Sequence, residues 1–277
     1  MSYENIEIKL LLDAVYQRYG YDFRNYSKAS IKRRLRHYLA KSGLANFSAM
    51  QHKILYYPEF FNSLLLDLTV NVTEMFRDPG FYRSLRKNVI PILKTYPNIK
   101  IWHAGCSTGE EVYSMAILLA EEGLLNRTQI YATDIDNKVL ETAREGIYPL
   151  DRIKVYTENY QKAEGKKSFS EYYTAGYDAA IIKQFLKKQI VFTNHNLVTD
   201  SVFGEFHLIV CRNVLIYFNK KLQNHVLNLF NQSLIRRGIL ALGSKETVQF
   251  STSAHIFSEY DKKEKIYQKN IITKTAV

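Results

Sequence analysis

The stretch that most constrains the fold is Ile99–Tyr113, which reads IKIWHAGCSTGEEVY. It begins with a β-branched and aromatic run typical of a strand and continues into a turn of small residues around Gly105 and Gly109. From Val112 onward, apolar residues recur at the spacing of a buried helix face. Strand, glycine turn and helix in this order open a nucleotide-binding βαβ unit, because the glycines let a ligand approach the backbone and the helix start offers free N–H groups.

The charge at this helix start narrows the choice of ligand. Glu110 and Glu111 would repel the pyrophosphate of a dinucleotide, but they suit a cofactor with a cationic end. S-adenosylmethionine (SAM) has both a sulfonium and an ammonium group. Acidic residues are also common in a first helical turn, and Thr108 with Glu111 has the spacing of a capping box. We therefore assign Glu110 to the helix start alone, while a ligand role and a capping role both remain open for Glu111.

Composition places the chain among ordinary globular proteins. Its 277 residues are enough for one large and one small domain, and 46% of them are hydrophobic. The net charge of +11 predicts an acidic partner: nucleic acid, anionic lipid or an acidic protein surface. Two cysteines, Cys106 and Cys211, do not make a disulfide framework, and Cys and His residues do not occur at the spacing of metal ligands. The sequence also has no signal-peptide pattern and no apolar run long enough to span a bilayer. These features predict a soluble cytoplasmic protein.

The chain divides into three predicted parts. Residues 1–68 have helical stripes and no strand pattern, which predicts a small helical domain. Residues 69–83 have an extended composition with a turn at Asp78-Pro79-Gly80, and they are predicted to be a linker. Residues 84–277 alternate strands and helices, which predicts an α/β domain. Within it we predict a long helix over 220–235 and a last antiparallel pair of strands within 248–267. An insertion at about 150–189 interrupts that alternation and is predicted to form a hairpin or a three-stranded sheet.

The second predicted helix, KASIKRRLRHYLAKSG, has a basic face. Lys32, Arg33 and Arg36 fall mainly opposite its core stripe. This face is the expected partner surface. A solvated face without a partner fits the charge run equally well.

Polar residues gather at the ends of the predicted strands, where open α/β sheets bind ligands. Asp134 ends a strand about twenty residues after the glycine turn, and an acid at that place commonly binds the ribose hydroxyls of adenosine. We favour that role for Asp134 over a helix cap, and we assign the cap of the following helix to Asp136. Asn196 and Arg212 follow two later strands.

Several motifs of other enzyme classes are absent from the sequence. The five prolines are never adjacent, so the Pro-Pro-aromatic motif of amino-directed nucleic-acid methyltransferases is missing. Neither cysteine follows a proline, as the nucleophile of cytosine-C5 methyltransferases does. The chain also has no P-loop lysine and no nucleophile elbow.

Three sequence motifs are informative in combination: NVTEMFR (Asn71–Arg77), AGCSTGEEVYS (Ala104–Ser114) and CRNVLIYF (Cys211–Phe218). In this order they resemble the chemotaxis receptor methyltransferases of the CheR type. SIKRRLRHYL is similar to the basic second helix of that family, and TDID, GIYPL and the segment ending in HNL also match. The resemblance spans nearly the whole chain, and three motifs at matching spacing are far more specific than a glycine turn alone.

The resemblance implies a Rossmann-like class I SAM-dependent methyltransferase sheet with a small β insertion, preceded by an all-α N-terminal domain. It implies transfer of a methyl group from SAM to glutamate side chains on the cytoplasmic helices of a chemoreceptor, with S-adenosylhomocysteine as product. The basic helix would then meet an acidic receptor helix bundle, which accounts for the net charge without nucleic acid or membrane insertion.

The resemblance also implies roles for individual residues. Glu111 would bind the methionine ammonium of SAM and Asp134 its ribose, and Asn196 with Leu197 would flank the adenine. The residues implied to bind the cofactor are Asn71, Thr73, Arg77, Ala104, Glu111, Asp134, Asn196, Leu197, Arg212 and Asn213.

The implied reaction needs no catalytic base. A glutamate has an unperturbed pKa of about 4.3 and is already a nucleophile at neutral pH. The enzyme has to orient the carboxylate in line with the methyl group and exclude water. Arg77 is assigned to hold one carboxylate oxygen while the other attacks. Tyr217 would stand beside the methyl group, and a hydrogen bond from its hydroxyl and a packing role both remain open.

The sequence departs from the family in three places. Met75 replaces a usual phenylalanine, which we expect to be a tolerated packing change. His207 stands where the family usually has aspartate, which changes local hydrogen bonding rather than the reaction. The turn TAGYDAA is shorter than the glycine-rich loop of members that bind a receptor's C-terminal pentapeptide, so we predict a pentapeptide-independent enzyme.

Two other functions stay open from the sequence. The basic charge is compatible with a nucleic-acid methyltransferase. A SAM-binding interaction module that has lost turnover is the second alternative, although every position matched to the family's site is present.

Overall fold

The computed structural model describes residues 2–69 and 72–271, and the chain forms two compact units. The first unit comprises residues 1–71 and 215–226, and the second comprises residues 72–214 and 227–277. Residues 215–226 therefore group with the N-terminal residues, whereas the sequence analysis placed them in the α/β part of the chain.

The N-terminal part of the first unit is helical, as predicted. Its helices are α1 (Tyr3–Tyr19), α2 (Lys28–Ser42), α3 (Phe47–Tyr56) and α4 (Pro58–Leu68). Gly20 and Gly43 end α1 and α2 in the left-handed conformation, which glycine adopts without strain. Asn46 begins α3 by accepting a hydrogen bond from the Ala49 N–H.

Apolar stripes on these helices form the core of the first unit. Leu11, Leu35, Met50 and Leu64 have no exposed surface. Burial of each such side chain contributes about 2 kcal/mol to the free energy of unfolding. The helices are therefore stabilised mainly by packing against one another rather than by their intrinsic propensity.

Residues 215–226 are attached to this helical unit through the backbone. The Ser27 N–H donates to the Tyr217 carbonyl at 2.7 Å. Tyr26 and Phe218 form an antiparallel bridge, and their ring centroids lie 4.9 Å apart in an edge-to-face arrangement. These contacts fix the position of Tyr217 within the first unit.

The second unit is built on two sheets. Its strands are β1 (Ile99–Ala104), β2 (Thr128–Asp134), β3 (Ile147–Pro149), β4 (Tyr173–Ala175), β5 (Ala179–Ile182), β6 (Ile190–Asn194), β7 (Phe206–Cys211), β8 (Leu234–Leu242), β9 (Phe257–Asp261) and β10 (Ile266–Lys269). The large sheet has the order β6-β2-β1-β7-β8-β10-β9. Strands β6, β2, β1, β7 and β8 run parallel, and β10 and β9 close the sheet as an antiparallel pair.

Strand β1 lies at the point where the strand order reverses. It pairs with β2 on one side and with β7, a much later strand, on the other. Ligands of open α/β sheets bind outside the carboxyl ends of the strands at such a point. The Rossmann-like sheet with a final antiparallel pair is therefore confirmed, and its topology places the candidate site at the ends of β1, β2, β6 and β7.

The remaining helices are α5 (Pro79–Ser84), α6 (Ile90–Lys94), α7 (Glu110–Glu121), α8 (Asn137–Glu145), α9 (Leu150–Lys162), α10 (Gln184–Lys187) and α11 (Lys220–Ser233). A π-helical turn, Leu85–Val89, joins α5 to α6 just before Pro91, which has no N–H to donate. The start of α5 lies inside the predicted linker. Within the described residues, no helix is both long enough and apolar enough to cross a bilayer.

The insertion contains the predicted three-stranded sheet, with the order β3-β5-β4. Helix α9 was not predicted. Most of its residues are charged or polar, so its buried residues Tyr156 and Tyr160 do not form a recognisable apolar stripe. The helix predicted over 220–235 ends at Ser233, and its last two residues begin β8 instead. The β-branched and apolar residues from Leu234 onward are compatible with either structure, and pairing with β7 selects the strand.

Candidate active site

The glycine turn after β1 has a geometry that only glycine fits. Gly105 and Gly109 have φ values of 81° and 92°. A Cβ atom on Gly105 would lie 2.5 Å from a Val214 methyl group, and one on Gly109 would lie 2.9 Å from the Cβ of Ala143. The Gly105 N–H donates to the Thr133 carbonyl at 2.8 Å, which ties the turn to the end of β2. The turn is thus close-packed on both sides.

Asp134 closes this turn from the neighbouring strand. Its Oδ2 accepts from the Ser107 N–H at 2.8 Å, and its Oδ1 accepts from the Asp136 N–H at 3.1 Å. Burial raises the pKa of Asp134. These bonds and one from the Ile135 N–H still leave part of the carboxylate's acceptor capacity unused. Asp134 therefore organises the turn, and it retains room for a further donor. Asp136 caps α8 through the Lys138 N–H at 2.9 Å, as predicted.

Glu111, in the first turn of α7, is contacted from two sides. His103 Nδ1 on β1 lies 3.1 Å from its Oε1, and Arg212 Nη1 after β7 donates to its Oε2 at 2.9 Å. Burial opposes ionisation of Glu111, but the hydrogen bonds from His103 and Arg212 hold its pKa below the ordinary value. The side chain is 17% exposed. Glu111 is thus an ionised, accessible carboxylate at the end of the sheet.

Glu110 has a different environment. The Thr108 hydroxyl donates to its Oε2 at 2.6 Å, Tyr156 of α9 donates to its Oε1 at 3.4 Å, and burial raises its pKa. Helix α7 has Gly109 as its N-cap and makes no side-chain capping bond. The capping role considered for Glu111 is therefore wrong, because the hydroxyl of Thr108 is bound to Glu110 instead.

Arg212 joins three segments of the second unit. Its Nη2 donates to Asp78 Oδ2 at 2.6 Å, and its guanidinium lies 4.2 Å from the ring centroid of Phe81. Burial disfavours the charge of Arg212, but Glu111 and Asp78 keep its pKa above the ordinary value. The sequence analysis assigned Asp78 only to a turn. No local pattern identifies its partner, which lies 134 residues away in the chain.

Arg77 lies next to this network. The Arg77 carbonyl accepts from Arg212 Nη1 at 3.4 Å, while Arg77 Nη1 donates to the Val72 carbonyl at 3.1 Å. Both Arg77 and Thr73 are half-buried. Asn71, the other residue predicted in this segment, lies outside the described residues. The guanidinium of Arg77 is thus at the protein surface of the second unit.

The later strand ends position the other predicted residues. Asn196 and Leu197 are buried after β6, and the Asn196 side chain accepts from the Val198 N–H at 3.0 Å. Asn213 follows Arg212 with a φ of 62°, and its N–H donates to Glu246 Oε2 at 3.0 Å. Ala104 is buried at the end of β1. All of these residues belong to the second unit and lie at or just after the carboxyl ends of its parallel strands β1, β6 and β7.

The residues at this edge fit a polar ligand with a cationic end. In the described part of the chain, the buried atoms Ser107 Oγ and Arg212 Nε have no hydrogen-bond partner. Buried polar atoms normally have one, so a ligand or water is expected here. Glu111 offers a carboxylate to an ammonium group, and Asp134 offers acceptors to hydroxyls. This combination matches the two ends of SAM.

Comparison with known proteins decides the family. Residues 71–265 match the family described as CheR methyltransferase, SAM binding domain, and residues 6–69 match the CheR methyltransferase all-alpha domain. The chain belongs to the CheR methyltransferase family. It is a SAM-dependent methyltransferase, with the all-α domain and the methyltransferase sheet that its sequence predicts.

Three curated relatives match this CheR-family chain along most of its length. The putative methyltransferase Cher3 of Pseudomonas putida is 53% identical over 96% of this chain and 97% of the relative. The chemotaxis protein methyltransferase of Borreliella burgdorferi is 33% identical over 88% of both chains. That of Salmonella typhimurium is 30% identical over 93% of this chain and 88% of the relative. The names of the last two relatives place their methylation in chemotaxis.

In this CheR-family chain, Tyr217 lies in the first unit against Arg34. The guanidinium carbon of Arg34 is 4.5 Å from the centroid of the Tyr217 ring, and its Nη1 donates to the Leu68 carbonyl. Arg34 is buried, which lowers its pKa, and its Nη2 has no hydrogen-bond partner among the residues described. The sequence analysis missed Arg34, although its position three residues after the buried Ile31 is a signal for the inner face of α2.

The predicted basic face of α2 is partly neutralised within the first unit. Lys32 Nζ lies 2.7 Å from Glu4 Oε2, and Arg36 donates to both oxygens of Glu4 at 2.6 and 2.9 Å. These hydrogen bonds, that of Arg36 above all, lower the pKa of Glu4 to about 2. Arg33 is exposed.

Proposed function

We propose that this CheR-family enzyme transfers a methyl group from SAM to glutamate side chains on the cytoplasmic helices of a chemoreceptor. The observation that carries this proposal is the ionised Glu111 in the first turn of α7, with Asp134 at the end of β2 and the family assignment beside it. The names of the Borreliella and Salmonella relatives support a chemotaxis substrate. The reaction would take place in the cytoplasm.

In this proposal, the residues at the strand ends bind the cofactor. When bound, SAM supplies an electrophilic methyl group on a sulfonium. Glu111 binds the ammonium group, Asp134 binds the ribose hydroxyls, and Asn196 with Leu197 flanks the adenine. Further proposed contacts are Asn71, Thr73, Arg77, Ala104, Arg212 and Asn213.

The substrate carboxylate requires orientation rather than deprotonation, because glutamate is ionised at neutral pH. We assign that orientation to Arg77, whose guanidinium can hold one carboxylate oxygen by charge-assisted hydrogen bonds. Its Nη1 donates to the neutral Val72 carbonyl, which is a weaker acceptor than a carboxylate. An incoming glutamate would therefore displace that bond at small cost. Tyr217 contributes through its hydroxyl or its ring.

The proposed partner surface is the basic face of α2 with Lys32, Arg33 and Arg36. Because Lys32 and Arg36 are paired with Glu4, Arg33 is the residue of the three best placed for an acidic receptor helix. We propose that binding is independent of a C-terminal pentapeptide. The proposed domains are 1–68, a linker at 69–83, and 84–277 with the insertion at about 150–189. The ranges of the two family matches support a division near residue 70.

A labelling experiment tests the proposal. The full chain is incubated with methyl-labelled SAM and the host's receptor cytoplasmic fragments, with RNA and DNA in parallel reactions. We expect label on the receptor fragment that mild base releases as methanol. Label on nucleic acid that survives mild base would contradict the proposal, as would tight cofactor binding without transfer to any receptor fragment.

A further inference from the structure

His103 is a buried polar residue that neither the motifs nor the proposed mechanism uses. It lies in the middle of the sheet on β1, next to Ala132 of β2 and Val210 of β7, and has no exposed surface. Its Nδ1 faces Glu111 Oε1 at 3.1 Å, and in the described residues its Nε2 has no partner. A polar group in such a place is costly unless its hydrogen bond serves the structure or the site.

The contact defines which nitrogen of His103 carries a proton. The pKa of Glu111 is lowered, so its carboxylate is ionised and can only accept a hydrogen bond. The proton of the shared hydrogen bond must therefore lie on Nδ1. A second proton on Nε2 would leave a buried cationic donor without an acceptor, which is far more costly than an unpaired neutral nitrogen. The arrangement selects a neutral imidazole with its hydrogen on Nδ1.

A neutral donor at this position has two effects on Glu111. Arg212 alone could engage both carboxylate oxygens in a side-on pair. His103 engages Oε1 and leaves only Oε2 for Arg212, which fixes the plane of the carboxylate. Because His103 adds no positive charge, the carboxylates of Glu111 and Asp78 still outnumber the guanidinium of Arg212. The cluster thus keeps a net negative charge for an incoming cation.

We propose that His103 is a positioning residue that orients Glu111 toward the ammonium group of the cofactor. The proposal rests on the proposed role of Glu111. His103 acts through Glu111 and does not itself touch the ammonium. Its contribution belongs to cofactor affinity rather than to the chemical step.

Two substitutions separate the hydrogen bond from the packing. His103→Asn can place an amide N–H near the Nδ1 position, whereas His103→Leu fills similar space without a donor. Calorimetry with S-adenosylhomocysteine should show about tenfold weaker binding for His103→Leu and near wild-type binding for His103→Asn. The kcat of His103→Leu at saturating SAM should stay close to that of the wild type.

A cofactor fragment distinguishes positioning from a structural role. Methylthioadenosine contains the adenosine and sulfur but no ammonium, so its affinity should be the same for the wild type and His103→Leu. Equal weakening of the fragment and of S-adenosylhomocysteine would overturn the proposal. So would unimpaired binding of S-adenosylhomocysteine by His103→Leu.

Glu111→Gln distinguishes a failure of the role proposed for His103 from a failure of the role proposed for Glu111. It should weaken binding of S-adenosylhomocysteine but not of methylthioadenosine, and His103→Leu should add little in the double variant. If Glu111→Gln binds S-adenosylhomocysteine like the wild type, the role of Glu111 fails and His103 with it. If Glu111→Gln is impaired and His103→Leu is not, only the role of His103 fails.

Nitrogen NMR of the wild-type protein tests the position of the hydrogen on the His103 ring directly, and a variant serves only to assign the signal. The histidine signal that disappears in His103→Asn, or that shifts on cofactor binding, should report a neutral ring with the hydrogen on Nδ1. A ring with its hydrogen on Nε2, or a doubly protonated ring at neutral pH, would contradict the proposal.

Discussion

At the scale of single residues, the site combines side chains that local patterns identify with others that they do not. Glu111 and Asp134 were found because each follows a strand or a glycine turn at a characteristic spacing. Asp78 and His103 were missed, although they complete the hydrogen bonds of the same cluster. Asp78 pairs with Arg212, which lies 134 residues away, and His103 on β1 meets Glu111 of α7 across the glycine turn. No periodicity in the sequence could reveal either pairing.

Tyr217→Phe tests the role of the tyrosine that the family resemblance singles out. The ring packs against Arg34 and its carbonyl binds the Ser27 N–H, and both contacts survive loss of the hydroxyl. We expect an unchanged melting temperature and a fall in kcat of about tenfold or more, the loss typical of one positioned donor. An unchanged kcat in the methylation assay would assign Tyr217 a packing role only.

His207 should make stability depend on pH. Burial lowers its pKa, and its Nδ1 accepts from the Lys100 N–H at 3.0 Å, which requires the neutral ring. The unfolded chain therefore binds more protons below a pH of about 6.5, and the folded state loses stability as the pH falls through that range. Urea unfolding at pH 7.5 and 5.5 measures the loss.

His207→Asn is the matched control for this pH dependence. Its side-chain carbonyl can accept from the same N–H but does not titrate, so the variant should be about 1 kcal/mol less stable at pH 7.5 and lose less between pH 7.5 and 5.5. Equal losses for both proteins would show that His207 is not the titrating group. At this position, where the family usually has aspartate, the structure shows His207 Nδ1 as the acceptor for the Lys100 N–H.

At the scale of elements, helices begin and end at single residues whose local preferences suit a helix terminus. Aspartate before α8 caps that helix as the sequence indicated, and glycine after α1 and α2 and asparagine before α3 are helix-end signals of the same local kind. The errors, α9 and the start of β8, occur where tertiary contacts decide. The buried tyrosines of α9 are spaced four apart among charged residues, which gives too weak a stripe to recognise without the core that it packs against.

Gly109→Ala tests whether the turn before α7 depends on close packing as well as on its backbone conformation. The new methyl group would lie 2.9 Å from Ala143 Cβ and 3.2 Å from its Cα, neither of which can rotate away. We expect a loss of about 3 kcal/mol or more in urea unfolding.

Gly123→Ala provides the comparison for Gly109→Ala. Gly123 also has a positive φ, 71°, but no atom lies within 4 Å of the added Cβ. Backbone strain alone should cost about 1–2 kcal/mol. If both variants lose the same stability, the close approach to Ala143 contributes nothing and the turn requires glycine only for its φ.

At the scale of the whole molecule, the fold, the cofactor class and the family followed from the order of motifs along the chain. The residues that the basic helix offers to a partner did not, because the ion pairs of Lys32 and Arg36 with Glu4 join α1 to α2, and no local pattern predicts which side chains of two helices meet. The net charge of +11 therefore overestimates the positive charge that the basic face of α2 exposes to solvent.

Arg33→Glu tests the proposed receptor surface. At low ionic strength we expect the KM for the receptor fragment to rise about tenfold, while the KM for SAM stays unchanged, because the substitution lies in the first unit and affects only an exposed side chain. Arg236→Glu makes the same change of net charge at an exposed position of β8 and should leave both constants unchanged. Equal effects of the two variants would indicate attraction by net charge alone.

The central claim is methyl transfer to glutamate carboxylates, and mass spectrometry of the receptor fragment after incubation with the enzyme and SAM tests it most directly. The account predicts the added mass of a methyl group on peptides that contain glutamate, located on that side chain by fragmentation and removed by mild base. A methyl group on any other side chain, or one that resists base, would contradict it.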